Sequence, residues 1–245
     1  MTLAIGISGI SGRIGQRLVQ ILKTDESVCL NSGLVSSTSQ SIGKDMGVIV
    51  SDKCLKSDIW IDFSTPCAFE KVLAHCIATK TPLVTGTTGL SKKHFKELEN
   101  ATQNIAILWA SNFAISINLI QQLLSNYSQL QPSTVTVTET HHLHKKDKPS
   151  GTAITLARSI KPHGILRKMD EDDFMLDDIS ISSSREGEVA GIHTVQIEND
   201  AETINISHSA KTPEIFAQGA INVAKWLADK EAGFYTMNDY IESLS

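Results

Sequence analysis

The chain begins with Leu3-Ala-Ile-Gly-Ile-Ser8, continues with Gly9-Ile-Ser-Gly12-Arg-Ile-Gly15, and then runs through Gln16-Arg-Leu-Val-Gln-Ile-Leu22. The first segment is a short apolar run of the kind that forms a buried strand, and the last has apolar residues at helical spacing. A strand, a glycine turn and a helix in this order are what a dinucleotide site requires. The sequence therefore predicts a nucleotide-binding βα unit at the start of the chain.

The three glycines of this turn have separate tasks. Gly9 allows the tight turn, Gly12 lets the backbone approach a pyrophosphate, and Gly15 permits close packing of the helix on the strand. The spacing is G-x-x-G-x-x-G, with Ser11 where the commoner fingerprint has glycine. Glycine turns end many strands, so the motif gains its weight from the correct elements on both sides.

The first half of the chain repeats this alternation of strand and helix. Further strands are predicted at Val28–Val35, Ile59–Ser64, Pro82–Gly86 and Ile105–Ala110, with a helix over Ser91–Thr102. Such alternation predicts an α/β domain with a Rossmann-like, doubly wound parallel sheet and right-handed crossovers. Ligands of these sheets bind at the carboxyl ends of the strands, and the ends here are small, hydroxylated or amide-bearing. These ends are Gly9–Gly12, Phe63–Pro66, Gly86–Gly89 and Ala110–Phe113.

The pattern changes near residue 113. Helices are predicted over Ile115–Leu130 and from Ser150, with strands at Val135–Thr138, Ile179–Ser182, Val189–Ile197 and Thr203–His208. The excess of strands predicts a second, α+β domain with an open mixed sheet. A terminal amphipathic helix follows at Phe216–Leu227. We therefore expect residues 1–112, completed by 214–245, to bind the dinucleotide, and residues 113–213 to serve substrate binding and oligomerisation.

The strongest signal for chemistry is Glu139-Thr-His-His-Leu-His-Lys-Lys-Asp-Lys-Pro-Ser-Gly-Thr-Ala153. It places imidazoles at a strand end directly before the capped first turn of a helix. Imidazoles exchange protons near neutral pH, and the backbone N–H groups at a helix start suit an anion. The segment therefore predicts proton transfer to a substrate that bears a carboxylate.

A metal site and a purely structural cluster are the alternatives for these histidines. Neighbouring side chains of a strand point to opposite faces, so His141 and His142 cannot easily share an ion. Cysteine is absent nearby, and Asp147 is the only close carboxylate after Glu139. We therefore expect no metal. A solvated basic face is also disfavoured, because it would use lysine and glutamate rather than three histidines.

Composition narrows the classes of partner. The 245 residues carry a net charge of −5 with only three Tyr and three Trp, which argues against nucleic acid. The four cysteines form no C-x-x-C pair, as is typical of reduced thiols in a cytoplasmic protein. The first predicted strand leaves no room for a signal peptide, and no apolar run approaches membrane-spanning length. We expect a cytoplasmic protein with no membrane partner.

Motifs along the whole chain point to one family. They are Gly9–Gly15, Asp62–Ser64, Gly86–Gly89, Asn112–Phe113, Glu139–Thr152, Arg185–Gly187, Gly191–Thr194 and Phe216–Ala220. With these segments the chain resembles the 4-hydroxy-tetrahydrodipicolinate reductases, historically named dihydrodipicolinate reductases, nearly from end to end. The histidine–lysine segment is the most specific of them.

The resemblance implies NAD(P)H-dependent reduction of 4-hydroxy-tetrahydrodipicolinate to tetrahydrodipicolinate in lysine and diaminopimelate biosynthesis. Hydride would pass from the nicotinamide to a ring carbon while the protein supplies protons. Matched to the family, His141 is the acid/base and Lys145 is the second catalytic residue. The same matching gives the substrate-binding residues His142, Ser150, Gly151 and Thr152. His144 receives no role.

The resemblance also implies which residues line the cofactor. They are Gly9, Ile10, Ser11, Gly12, Arg13 and Ile14, then Gly86, Thr87 and Thr88, then Ala110, Ser111, Asn112 and Phe113. A family acid that would grip the ribose hydroxyls aligns with Val35, and a neighbouring basic residue aligns with Ser36. Loss of the acid removes repulsion of a 2′-phosphate, and loss of the base removes an attraction. Either NADPH or NADH is therefore expected, with a slight lean to NADPH.

Two other functions stay open at this point. A related Rossmann dehydrogenase acting on another amino or keto acid would keep the amino-terminal motif but need not contain the histidine–lysine segment. A non-catalytic, nucleotide-sensing regulator should have lost the proton donor or the carboxylate site. The resemblance further implies a small-molecule dicarboxylate as partner and a homotetramer joined through the sheet of the second domain.

Overall fold

The structure, a computed structural model, describes residues 2–126 and 134–244. The chain divides into two compact units. The first comprises the segment that ends at Phe113 together with the segment that begins at Glu214, and the second spans Ala114–Pro213. Each unit has its own sheet and its own hydrophobic core.

The helices and strands of the described residues are numbered in chain order. The helices are α1 (Arg13–Leu22), α2 (Pro66–Thr79), α3 (Lys92–Ala101), α4 (Ile115–Ser125), α5 (Gly151–Ile160), α6 (Glu214–Leu227) and α7 (Met237–Glu242). The strands are β1 (Leu3–Ser8), β2 (Val28–Leu34), β3 (Val50–Ser51), β4 (Ile59–Asp62), β5 (Leu83–Thr85), β6 (Ala106–Trp109), β7 (Thr134–His141), β8 (Leu166–Lys168), β9 (Asp173–Leu176), β10 (Ile179–Arg185), β11 (Ile192–Glu198), β12 (Thr203–Ser209) and β13 (Gly233–Tyr235).

The sheet of the first unit has the strand order β13-β6-β5-β4-β1-β2-β3, and all neighbouring strands run parallel. This confirms the Rossmann-like sheet that the sequence predicts. The chain starts at β1, moves outward to β3 and returns to β4 on the other side of β1. The strand order therefore reverses between β1 and β4, which is where such sheets bind their ligands.

Apolar strands and close backbone contacts build the core of the first unit. Ile5 and Ile7 of β1 and Ile61 of β4 are fully buried. Trp60 is fully buried because Gly6 on the neighbouring strand leaves room for its ring. A Cβ at Gly6 would lie 2.5 Å from the indole Cε2. Position 6 of β1 must therefore be glycine. The packing of β1 against β4 in turn holds the glycine turn that follows β1 in place.

The sheet of the second unit has the order β12-β11-β7-β10-β9-β8. Strands β7 and β10 run parallel, and the other neighbours run antiparallel. This confirms the open mixed sheet. Helix α5 packs on one face through Ala153, Leu156 and Ala157, which are buried in the core of this unit.

The alternation of side chains along adjacent strands determines which part of the sheet face under α5 is apolar and which part is polar. Val135 and Val137 of β7 belong to the apolar core. The next inward position of β7 is Glu139, which lies opposite Ser183 of β10 and His193 of β11. The face that is apolar at one end is therefore polar at the end where β7 finishes.

Helix α2 has 14 residues and was implied only by the alternation of strands and helices, whereas the other elements that the sequence did not predict are short. Strands β3, β8, β9 and β13 have two to four residues, and α7 has six, which is too few to show a period. Strand β11 begins at Ile192 rather than Val189, because Gly187 and Gly191 have φ values of 47° and 156° in the preceding turn. The helix predicted over Ile115–Leu130 ends at Ser125, and residues 127–130 lie outside the described residues.

Within residues 2–126 and 134–244, no helix is both long enough and apolar enough to cross a bilayer.

Close packing of α1 on the glycine turn can be tested at Gly15. A Cβ at this position would lie 2.2 Å from the carbonyl oxygen of Gly9, so the backbone would have to move. We expect Gly15→Ala to lower the free energy of unfolding by about 1–3 kcal/mol, measured by urea denaturation. The control is Gly151→Ala, where a Cβ meets no atom within 4 Å and the change should stay below about 0.5 kcal/mol. Equal effects of the two substitutions would contradict the close packing.

Candidate active site

The glycine turn of the first unit has the geometry of a nucleotide site. Gly9 has a φ of 78°, and its N–H donates to the carbonyl of Leu34. Gly12 is the N-cap residue of α1 and provides no side-chain cap, and a Cβ there would meet only the Gly9 carbonyl oxygen, at 3.1 Å. A helix start without a covering side chain is where a pyrophosphate binds in such folds. The residues present therefore fit a dinucleotide.

The residues predicted to line the cofactor differ in burial, and Gly9, Ile14, Gly86 and Ser111 are half-buried. Ser11, Gly12, Arg13 and Thr88 are exposed, whereas Ile10, Thr87, Ala110, Asn112 and Phe113 are buried. Ile10 is fully buried with its side chain beside Gly33, so only its backbone can contact a ligand. Phe113 packs edge-on against Phe63 with ring centroids 5.4 Å apart. The buried residues thus pack beneath the exposed residues at the sheet edge that is predicted to bind the nucleotide.

Asp62 at the end of β4 belongs to the motif Asp62–Ser64, but the sequence assigned it no role. Its carboxylate is buried and accepts hydrogen bonds from the hydroxyls of Ser64 at 2.5 Å, Thr85 at 2.9 Å and Thr87 at 2.6 Å. Burial raises the pKa of Asp62, although these hydroxyls oppose the shift. The Thr87 hydroxyl also accepts from the Ser64 N–H at 2.9 Å. Asp62 therefore joins the ends of β4 and β5 at the predicted nucleotide edge.

Glu139 on β7 is the centre of the polar cluster in the second unit. Its side chain is fully buried, and Oε1 accepts from the Ser150 N–H and from the Ser183 hydroxyl, each at 2.8 Å. The Arg185 guanidinium Nη2 lies 3.5 Å from the same oxygen. Burial raises the pKa of Glu139, but His193, Ser150 and Ser183 outweigh it, and the pKa lies well below its usual range. The carboxylate is therefore ionised and connects β7, α5 and β10.

His141, the predicted acid/base, is the last residue of β7 and is buried. Its Nδ1 lies 3.5 Å from Oε2 of Glu139, and its ring meets that of His193 edge-on with centroids 4.9 Å apart. Burial lowers the pKa of His141 to about 4, with Glu139 opposing the shift and His193, Lys145 and Arg185 adding to it. The imidazole is therefore neutral near pH 7 in the absence of a ligand.

Lys145, the second predicted catalytic residue, lies in the turn after β7. Its Nζ donates to the two carboxylate oxygens of Asp147 at 2.9 and 2.8 Å. The Arg185 Nε donates to the Lys145 carbonyl at 3.1 Å and so holds the turn against β10. His144, which received no role, is exposed and lies 3.9 Å from the exposed Glu188, a pair of little energetic weight.

The predicted carboxylate site lies at the start of α5. Ser150 is the N-cap residue, and its hydroxyl accepts from the Ala153 N–H at 3.1 Å. Its own N–H is committed to Glu139, so this group is not available to a ligand. Gly151 is exposed, and no atom lies within 4 Å of the position of an added Cβ. The exposed part of the helix start is therefore at Gly151.

Glu139, His141 and His193 also have the spacing of a metal-ligand set. One ligand atom from each lies within 4.8 Å of the others, and all three residues are buried. His193 lies outside the segment Glu139–Ala153, whose histidines were the ones weighed as metal ligands from the sequence. However, Arg185 lies 3.5 Å from the carboxylate, and positive charge at this distance opposes a divalent cation.

Taken together, a parallel nucleotide-binding sheet and a second unit with an imidazole cluster at a helix start define a two-domain, dinucleotide-dependent oxidoreductase. Family models described as dihydrodipicolinate reductase match residues 3–113 with the N-terminal part and residues 116–241 with the C-terminal part. The chain belongs to the dihydrodipicolinate reductase family, which confirms the resemblance found in the sequence.

Individual relatives agree with the family models. A 4-hydroxy-tetrahydrodipicolinate reductase of Sulfurimonas denitrificans is 38% identical, with 97% of this chain and 98% of the relative covered. One of Rickettsia canadensis is also 38% identical, with 96% and 97% covered. The fold is similar to that of a dipicolinate-bound dihydrodipicolinate reductase from Paenisporosarcina sp. TG-14, with a TM-score of 0.75, 20% identity, and 97% of this chain and 99% of that chain covered.

The support of the predicted nucleotide edge can be tested at Asp62. Asp62→Asn keeps the shape but sets an amide NH₂ against hydroxyl donors, so at least one hydrogen bond is lost. We expect the free energy of unfolding to fall by about 1–3 kcal/mol in urea denaturation, with weaker binding of reduced nucleotide in a fluorescence titration. Ser64→Ala, which removes one donor, should cost about 1 kcal/mol. Wild-type stability and nucleotide affinity of Asp62→Asn would contradict this role.

Proposed function

We propose that this chain catalyses the NAD(P)H-dependent reduction of 4-hydroxy-tetrahydrodipicolinate to tetrahydrodipicolinate, a step of lysine and diaminopimelate biosynthesis. Family membership supports the reaction, because curated relatives of 36–38% identity carry the name of this reductase. The observation that carries the proposal is the hydrogen bond from the Ser150 N–H to Glu139. It ties the strand end that bears His141 to the helix start that can receive a carboxylate.

The reaction consumes one hydride and one proton and releases one water molecule. The ring loses its hydroxyl group as water, and one new C–H bond is formed with the hydride. When bound, the reduced nicotinamide supplies this hydride. The side chains of the protein then have two tasks, which are to hold the two carboxylates of the substrate and to supply the proton.

We assign the proton donor to His141. Burial lowers its pKa to about 4 without a ligand, so the neutral imidazole predominates near pH 7. A bound dicarboxylate brings negative charge, which raises the pKa and favours the imidazolium. His141 would thus gain its proton as the substrate binds and give it up in the same turnover.

Lys145 is assigned to the charge that develops on the substrate. Its ammonium group is a point charge with three donors, and in the structure two of them face Asp147. A substrate carboxylate or a developing negative charge would compete with Asp147 for this group. Asp147 then keeps the ammonium in place between turnovers.

The substrate carboxylates are assigned to the first turn of α5 and to His142. The N–H groups of Gly151 and Thr152 belong to a helix start, where the helix dipole favours negative charge. Ser150 supports this turn through its cap to Ala153 and its bond to Glu139. The second unit, Ala114–Pro213, is therefore proposed as the substrate domain.

The dinucleotide is assigned to the first unit. We propose that the glycine turn and the exposed residues Ser11, Arg13 and Thr88 contact it, on the support that Thr87, Asn112 and Phe113 provide. A homotetramer and a cytoplasmic location stay predictions of the sequence.

The choice between NADPH and NADH is proposed to be a weak preference for NADPH. Ser36 follows β2 in an exposed position, where its hydroxyl can donate to a 2′-phosphate but supplies no charge. Val35 is buried, so this residue cannot offer a group to the ribose. With neither an acid nor a base at these positions, strong discrimination is not expected.

The catalytic assignment is tested by His141→Ala and Lys145→Ala. Each should lower turnover by two or more orders of magnitude, the usual effect of removing a positioned proton donor or charge, while nucleotide affinity changes by less than about twofold. The measurement is oxidation of reduced nicotinamide, with substrate generated in situ by the preceding synthase. His144→Ala, an exposed histidine of the same segment, is the matched control and should stay near wild type.

Two outcomes of this assay would count against the account in different ways. Absence of substrate-dependent oxidation by the wild type would overturn the proposed reaction. Turnover of His141→Ala or Lys145→Ala within about fivefold of wild type would leave the reaction standing and remove the role of that residue.

The cofactor proposal is tested at Ser36. Ser36→Glu adds a carboxylate that accepts from the ribose diol and repels a 2′-phosphate, so kcat/KM should shift toward NADH by about tenfold, or 1.4 kcal/mol. Ser36→Gln has similar size without the charge and should shift little. A wild-type preference for NADH of more than about tenfold would contradict the assignment of this loop.

A further inference from the structure

The two oxygens of Glu139 have different surroundings. Oε1 accepts from the Ser150 N–H and the Ser183 hydroxyl, whereas Oε2 is buried and has no hydrogen-bond partner among the described residues. Two imidazole nitrogens face Oε2, each at 3.5 Å: Nδ1 of His141 and Nε2 of His193. Charge-assisted N–H···O bonds are shorter, at about 2.7–2.9 Å. One carboxylate oxygen is therefore shared between two imidazoles and fully bonded to neither.

We propose that Glu139 and His193 are positioning residues for the proton donor. Glu139 accepts from Nδ1–H of His141, and His193 competes for the same oxygen and so limits how firmly His141 holds its proton. The inference rests on the proposed function, in which His141 is the donor.

The orientation of the His141 ring determines which of its nitrogens can exchange a proton with the substrate. With Nδ1 directed at Glu139, the ring presents Nε2 as the nitrogen that exchanges a proton with the substrate. Gly191 borders this nitrogen, since a Cβ there would lie 3.1 Å from Nε2. The second nitrogen is thus next to backbone that carries no side chain. A ring rotation that broke the contact with Glu139 would misdirect the donor.

His193 is held in its competing position by a second contact. Its Nε2 lies 3.2 Å from the Ser150 hydroxyl as well as 3.5 Å from Oε2 of Glu139. Ser150 in turn caps α5. The second imidazole is therefore attached to the same helix start that is assigned to the substrate carboxylate. Substrate binding and the sharing of Oε2 are in this way connected through Ser150.

Four charged or titratable groups act on His141, and only one of them favours the imidazolium. They are Glu139 on β7, His193 on β11, Arg185 on β10 and Lys145 in the turn after β7. Glu139 raises the pKa of His141, whereas burial and the other three groups lower it. On the far side of His193, β12 contributes His208, whose own pKa is lowered by burial and by His193. Loss of Glu139 and loss of His193 should therefore move the proton affinity of His141 in opposite directions.

A divalent metal ion is the competing occupant of this cluster. The three ligand atoms have suitable spacing, and a zinc ion on Nδ1 of His141 would replace the proton that Nδ1 is proposed to share with Glu139 in a hydrogen bond. Arg185 already shares the carboxylate, which favours the proton over a dication. A proton and a metal ion in this cluster would give different results with purified protein, and the experiment distinguishes them.

The experiment compares the pH dependence of kcat in the wild type, Glu139→Gln and His193→Leu. The protonated form of His141 is the active one, so kcat falls as pH rises through its pKa in the substrate complex. Glu139→Gln should lower kcat by about tenfold to a thousandfold and move the midpoint of this fall to lower pH by about one unit or more. His193→Leu should move the midpoint to higher pH. His193→Gln keeps a donor without the titrating ring and should lie between His193→Leu and the wild type.

The control is Thr194→Val, which changes the next residue of β11. Its hydroxyl lies 2.9 Å from that of Ser207, on the face opposite to His193. It should leave the midpoint unchanged, although it disturbs the same strand. A merely structural role of His193 would make His193→Leu behave like this control and would overturn the proposal.

Glu139→Gln also weakens bonds to Ser150 and Ser183, so its folding is checked by thermal unfolding. Should it not fold, His193→Leu and NMR titration of the His141 ring in the wild-type protein bound to pyridine-2,6-dicarboxylate carry the test. A bound-state Nδ1–H that is absent overturns the proposal, as does stoichiometric zinc binding that both variants lose. If the wild type shows no turnover with the substrate, the proposed function fails, while the NMR titration of the ligand-free His141 still tests the contact with Glu139.

Discussion

The hydrogen bonds and the ion pair of the buried Glu139 carboxylate are the interactions on which the polar cluster of the second unit depends. A buried, ionised carboxylate is costly unless hydrogen bonds and opposite charge surround it. Ser150 at the start of α5 and Ser183 on β10 donate to it, and Arg185 lies beside it. Satisfying this one charge therefore brings two elements, α5 and β10, to the end of β7. The same charge is what allows a buried imidazole next to it to hold a proton.

Asp62 has a comparable place in the first unit. Its carboxylate collects three hydroxyl donors at the ends of β4 and β5 and so defines the edge assigned to the nucleotide. In both units a buried acid, Asp62 or Glu139, positions the residues that are assigned to contact a ligand. The acids are too enclosed to contact substrate or nucleotide freely, so their effect is exerted through the groups that they hold. Replacing either acid should disturb folding and function together, which is why the experiments measure both.

Local pattern was sufficient to predict much of this protein. The strand, the glycine turn and the helix at Leu3–Leu22 are contiguous, as are the strand end and helix start that flank the histidines. Glu139, an acid at an inward position of an alternating strand, is a further signal in the sequence, although it was assigned no role. The positions of His193 and Ser183 beside Glu139 could not be predicted, because the register of the sheet brings them there from distant parts of the chain. For the same reason the commitment of the Ser150 N–H to Glu139 was not predictable.

We propose that His141 is neutral in the free protein and takes up a proton when a dicarboxylate binds. Calorimetric titration with pyridine-2,6-dicarboxylate at pH 7, in buffers of different ionisation enthalpy, counts the protons taken up on binding. We expect an uptake close to one proton per site in the wild type and the loss of this uptake in His141→Ala. Tight binding of the dicarboxylate with no proton uptake by the wild type would show that His141 is not the group that gains a proton.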